Sequence, residues 1–205
     1  EIHESFNIEN VELVYEGSGW GALELVRRKR GKDLFGLVFD NIGKEQEIWL
    51  RLLKENVFEE FPVNQEPAKY VTQAEWMSLL EKSIKENPAS CNWHAYYHLG
   101  VMKAANEDLD GALECFKKSI DLKPNIWSYW CLGILENNET YMDKALENLT
   151  GMTKADVRVV VDCLNMYNRK RLYEKALKVF DSLDEIITRH PRVRLACIDS
   201  LIGIN

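Results

Sequence analysis

Three blocks of sequence recur at nearly constant spacing, and a chain that repeats itself this way has few architectures open to it. Asp110-Gly-Ala112-Leu113-Glu-Cys-Phe116, Asp143-Lys-Ala145-Leu146-Glu-Asn-Leu149 and Glu174-Lys-Ala176-Leu177-Lys-Val-Phe180 share one pattern: acid, any residue, Ala, Leu, two variable positions, a large apolar residue. The alanines are 33 and 31 residues apart. Leu99-Gly100 and Leu132-Gly133 each stand 13 residues ahead of the alanine of their own unit. Polar breaks at Asn106-Glu-Asp108 and Asn137-Asn138-Glu-Thr140 separate the two halves, so each unit reads helix, turn, helix.

The residue types suit two antiparallel helices pressed together. Gly100, Gly133, Ala112, Ala145 and Ala176 carry almost no side chain, which lets backbones approach, while Leu99, Phe116, Leu132, Leu149 and Phe180 fill the flanks. Pro88, Pro124 and Pro191 are expected to mark where the next unit opens, since proline fits the first turn of a helix. The 205 residues are enough for one large domain or two small ones.

The pattern resembles the tetratricopeptide repeat. The unit at 93–122 matches it best, with Tyr96, Leu99, Gly100, Ala112, Phe116 and Pro124, although Lys103 replaces a usual Tyr. The second keeps Tyr129, Leu132, Gly133 and Ala145; the third keeps Ala176 and Phe180, with Cys163-Leu164 in place of Leu-Gly. Trp76, Leu80, Ser83 and Pro88 resemble the second helix of a degenerate earlier unit, and Val193, Leu195, Ala196 and Ile198 a final solvating helix. The resemblance covers about 70–205 and implies an all-α, right-handed helix-turn-helix solenoid of about three units.

It also implies a function. The first helices of such units line a concave groove that binds extended peptides or helices. Carried over by position, the groove comprises His94, Tyr97 and Val101 in the first unit, Trp127, Trp130, Ile134 and Asn137 in the second, Arg158, Val161, Asn165 and Arg169 in the third, and Arg192 beyond. It is aromatic in the middle and cationic toward the C-terminus, and leaves open whether Trp127 or Trp130 belongs instead to the core. Tyr97 and Val101 stand where some members carry a clamp for C-terminal carboxylates.

Residues 1–68 read differently, as a small mixed α/β or irregular segment ahead of a helical repeat domain at 69–205. Residues 11–15 and 34–39 are predicted strands, 22–29 and 45–55 helices, the latter with Ile48, Trp49, Leu52 and Leu53 on one face, and 61–68 a connector holding Pro62 and Pro67. Gly17-Ser-Gly19-Trp-Gly21-Ala22 fits G-x-G-x-x-A, with Asp40 near the place of a ribose-binding acid, which makes 17–40 an alternative dinucleotide-binding segment. Two strands are too few to build the crevice that such a fingerprint serves. A glycine-rich connector packing Trp20 is therefore the preferred reading.

The order Gly19-Trp-Gly-Ala-Leu-Glu24, Trp49-x-x-Leu52-Leu53, Trp76 and then repeats is similar to the C-terminal part of bacterial proteins that carry an uncharacterised mutarotase-like β-sandwich ahead of a tetratricopeptide tail. That resemblance implies a non-catalytic tail of a carbohydrate-active parent. A chain starting at Glu1 rather than Met agrees with an excised piece.

Charge and cysteine narrow the partners. With 26 Lys and Arg against 33 Asp and Glu, the net charge is −7, the wrong sign for binding a phosphate backbone. The one basic cluster, Arg27 to Lys32, reads as the solvated end of a helix. The longest stretch without Asp, Glu, Lys or Arg is the sixteen residues of 87–102, too short to cross a bilayer, so no membrane span is expected. Five dispersed cysteines suit reduced thiols and a cytoplasmic setting. Cys91-x-x-His94-x-x-x-His98 sets a thiol near a histidine pair on one helix face, but zinc needs a third ligand fixed in place and Cys91 lies at the helix entrance; His94 is expected exposed in the groove and His98 packed between helices. No catalytic motif occurs, and no cofactor or metal is expected. The sequence thus points to a protein-interaction module whose partner is a protein segment or a missing domain of its own chain, with homo-oligomers open.

Overall fold

The computed structural model describes residues 18–30, 39, 41–151 and 153–204. Among these every regular element is helical. The predicted strand at 11–15, nearly all of that at 34–39, and Asp40 lie outside the described residues.

The helices are α1 (Ser18–Arg27), α2 (Glu47–Glu55), α3 (Ala74–Glu86), α4 (Trp93–Ala105), α5 (Leu109–Leu122), α6 (Ile126–Leu135), α7 (Glu139–Glu147), α8 (Thr153–Arg169), α9 (Tyr173–Ser182), the short α10 (Glu185–Thr188) and α11 (Pro191–Ile204). No helix among the described residues is long and apolar enough to cross a membrane. Packing follows chain order: from α3 to α9 each helix packs on the next, and α11 lies against both α8 and α9.

Each of the three predicted units is a helix pair, and their turns are built alike. Glu107, Asn137 and Arg171 take the left-handed conformation, with φ of 67°, 47° and 59°, between the end of one helix and the cap of the next. Left-handed backbone at that point reverses the chain and satisfies carbonyls that the first helix leaves open. The side chains of Asp108 and Asn138 then cap α5 and α7. Between units the caps are asparagines: Asn92 accepts from the Ala95 N–H and Asn125 from the Ser128 N–H. The prolines stand near these junctions in different places. Pro88 opens a 3-10 turn, Pro124 precedes the Asn125 cap, and Pro191 begins α11.

The small residues do what close approach requires. A Cβ on Gly100 would lie 2.7 Å from the Phe116 ring, and one on Gly133 2.8 Å from the Met142 Sδ. Ala112, Ala145 and Ala176 are buried. Gly19 and Gly21 also serve packing, since a Cβ would meet Gln46 Oε1 at 2.6 Å and the Phe39 ring at 2.1 Å.

One core cluster runs through α4 to α9 and α11. A second joins Leu23 of α1, Trp49 and Leu52 of α2, Phe58, Trp76 and Leu80 of α3, and Ala95, Leu99 and Met102 of α4. Apolar packing therefore continues across residue 68. Arg27, Arg28, Lys29 and Arg30 end α1 as expected: Glu24 bonds both Arg27 and Arg28, and Arg28, Lys29 and Arg30 are exposed.

Candidate functional site

Residues 57–72, between α2 and α3, form no helix and stay attached to the protein through side chains of the helices around them. Phe58 and Val71 are buried and anchor the two ends, while most residues between them are exposed or half-buried. The Trp93 Nε1–H donates to the Phe61 carbonyl at 2.8 Å, and the Trp49 Nε1–H to the Lys69 carbonyl at 2.7 Å. Asn92 Nδ2 donates to the Phe58 carbonyl and Asn106 Nδ2 to the Thr72 carbonyl. An irregular segment has main-chain groups that no helix or sheet satisfies, and here side chains take over that task.

His94 closes the neck of this loop. Its Nδ1 lies 3.0 Å from the Glu59 carbonyl, while its Nε2 accepts from the Ala68 N–H at 3.4 Å. Those two partners fix the tautomer: the proton sits on Nδ1. His98 Nε2, 3.0 Å from His94 Nε2, is then the donor, which leaves His98 Nδ1 without a partner among the described residues. Phe61 stacks on His94 with ring centroids 4.7 Å apart. Burial holds the His94 pKa down at about 4 and that of His98 well below its ordinary value, so both are neutral. The expectation that His94 is exposed is therefore corrected. The loop and its aromatic residues cover it completely, and only His98 is buried as expected. Cys91 stays exposed at the end of the preceding turn, and no group of three or more His, Cys, Asp or Glu among the described residues could hold a metal.

The tip of the loop reaches the later units. Glu60 pairs with Lys123 at 2.8 Å and Glu66 with Arg158 Nη2 at 2.9 Å; Glu59 pairs with Arg51. Beside the loop lies an open groove of about 760 Å³. One wall is Glu66 to Tyr70 with Trp20 and Glu45; the other is Tyr97, Val101, Trp127, Trp130, Cys131 and Arg158.

Five of the twelve expected groove residues thus line a single cavity: Tyr97, Val101, Trp127, Trp130 and Arg158. Tyr97 and Trp127 are mostly core, with a small face on the groove, whereas Trp130 is half-buried and donates to Asp162 at 3.1 Å. Val161 is buried and Asn165 half-buried in α8. Ile134, Arg169 and Arg192 are exposed outside this cavity, and Asn137 lies past the end of α6 in the left-handed turn. Sequence reasoning placed a connector at 61–68 but missed that it packs over His94 and α4. Its signal was composition: Val57, Phe58, Phe61, Val63, Tyr70 and Val71 are too many apolar residues for a solvated connector.

Burial pushes the Cys131 thiol up to about 12 and that of Cys115 to about 11, so neither is a nucleophile near neutral pH. Compared with known proteins, the chain matches no family model and no curated protein.

Proposed function

We propose that the chain is a non-catalytic, cytoplasmic interaction module, built as a tetratricopeptide-like right-handed solenoid, that captures an extended segment of a partner protein in the groove beside α4, α6 and α8. One observation carries this reading: an irregular segment, the chain's own 57–72 loop, is already held beside this groove, in good part through main-chain groups that side chains of α2 and α4 bond. Recognition of that kind tolerates many side chains and is what a segment-binding scaffold needs. The partner is a separate protein or another domain of a longer parent chain. The five cysteines, all free, suit a reducing compartment.

The test is to select binding peptides from a random display library against the whole chain and to measure their affinity for groove variants. Trp130→Ala and Arg158→Glu are each expected to weaken the selected peptides at least about tenfold, with a thermal melt of each variant confirming that it is folded at the temperature of the binding measurement. No enrichment, or equal binding by all variants, overturns the reading.

A further inference from the structure

His94, Trp127 and Arg158 are 33 and 31 residues apart, the same steps that separate the repeat alanines, so they occupy one position in three successive units. The first and third face the loop and bond it: His94 through the Glu59 carbonyl and Ala68 N–H, Arg158 through Glu66. The middle one does not. Trp127 is a residue of the groove lining, and its buried Nε1 has no acceptor among the described residues; the same holds for Arg158 and its Nε. A buried N–H without an acceptor loses the bond it would make to water, at a cost that a bound acceptor removes.

The neighbouring rings show what acceptor belongs there. Trp49 Nε1, Trp93 Nε1 and His94 Nδ1 each bond a main-chain carbonyl of an irregular, proline-containing loop. We infer that the Trp127 indole N–H is a fourth position of this kind, and that the groove binds a partner segment in the polyproline II conformation by donating to one of its main-chain carbonyls. This deepens, and rests on, the reading of the groove as segment-binding. Polyproline II leaves its carbonyls unpaired and its conformation largely preset, so side-chain donors can hold it without a strand edge. Trp20, Pro67, Tyr70 and Trp130 supply the apolar walls that proline rings pack against.

The experiment titrates the whole chain with an acetylated, amidated oligoproline of twelve residues and follows the indole N–H signals of its six tryptophans by NMR. The Trp127→Phe spectrum identifies the Trp127 signal. The expected result is a saturable downfield shift of that signal, with affinity roughly tenfold lower in Trp127→Phe, whose ring remains but whose donor is gone. Should that variant fail to fold, triple-resonance assignment of the wild-type chain identifies the Trp127 signal, and its shift decides alone. A stationary Trp127 signal at saturating peptide, equal binding of a length-matched Gly-Ser peptide, or no oligoproline binding at millimolar concentration overturns the inference. Proline-free peptides that bind and are lost in Trp130→Ala would sink it while leaving the broader reading standing. Failure of both peptide classes ends both.

Discussion

His94 and His98 meet through their Nε2 atoms at 3.0 Å, one turn apart on α4, inside a shell formed by Trp49, Phe58, Phe61, Trp93 and Tyr97. The pair is neutral: His94 Nε2 already accepts from the loop, and His98 Nδ1, the one ring nitrogen still open to a proton, is buried with no partner among the described residues.

Acid should therefore loosen the fold in a defined window. Burial lowers the His94 pKa from 6.5 to about 4, so between those values the unfolded chain binds more protons than the folded one. Stability is complete above about pH 6.5 and is lost as pH falls toward 4, with a loss of about 2 kcal/mol by pH 5 from His94 alone. His98 shifts in the same direction and adds to it. Glu24, held near 2 by its bond to Arg27, keeps its contribution above its ordinary carboxylate range and loses it only below, so it does not confuse the measurement. Urea denaturation at pH 7 and pH 5 checks this; equal midpoints would mean that the histidines are solvated.

The helix pairs were legible in the sequence because their cause is local: a small residue admits a neighbouring backbone, and that need recurs at fixed spacing in Gly100, Gly133, Ala112 and Ala145. The groove was legible in part for the same reason, since register carried Tyr97, Trp127, Trp130 and Arg158 to one cavity. The loop over His94 was not. No periodicity marks it, and its bonds to α4 and the later helices join residues 26 to 92 positions apart, such as Ala68 to His94 and Glu66 to Arg158. A histidine at helical spacing looks the same whether water or a loop lies above it.

The two glycines should answer differently to the same substitution. In Gly100→Ala the new methyl meets the Phe116 ring at 2.7 Å, which is rigid and itself buried, so a cost of about 1–3 kcal/mol is expected. In Gly133→Ala it meets the Met142 thioether, which can move, and the gain in helix propensity of about 1 kcal/mol offsets most of the strain. Ala145→Leu in α7, with no space beside it, should cost about 1–3 kcal/mol. Thermal melts of the three variants rank them, and a neutral Ala145→Leu would place the α6 and α7 contact elsewhere.

The left-handed turns hold stability in reserve. Glu107 and Arg171 adopt a conformation in which their Cβ crowds the backbone, and both are exposed. Glu107→Gly and Arg171→Gly are expected to gain about 0.5–1 kcal/mol each. Asn137→Gly should gain less, because asparagine already tolerates that region. Chemical denaturation of the three variants distinguishes them; losses at Glu107 and Arg171 would argue against the turn geometry.

Thiol reactivity should single out one cysteine. Cys91 is exposed, whereas burial raises the pKa of Cys115, Cys131, Cys163 and Cys197. A disulfide reagent at mildly alkaline pH is expected to modify one thiol quickly and the others only on unfolding. Cys91→Ser should remove the fast phase, and its persistence would show that another cysteine opens readily.

Removing the indole donor of Trp93 tests how the loop is held. Trp93→Phe keeps an aromatic ring in the core but leaves the Phe61 carbonyl without its partner, at a cost of about 1–2 kcal/mol. The effect should be local as well as global, because the loop middle is exposed and is anchored at its ends by Phe58 and Val71. Amide exchange at Ala68, whose N–H bonds His94, should accelerate in the variant more than exchange in α9 and α11, which lie away from the loop. Trp130→Phe is the control, since its indole bonds a half-buried Asp162 that water can serve instead. Uniform acceleration along the chain would show that the loop and the helices open as a single unit, and that the Trp93 bond does not hold the loop separately.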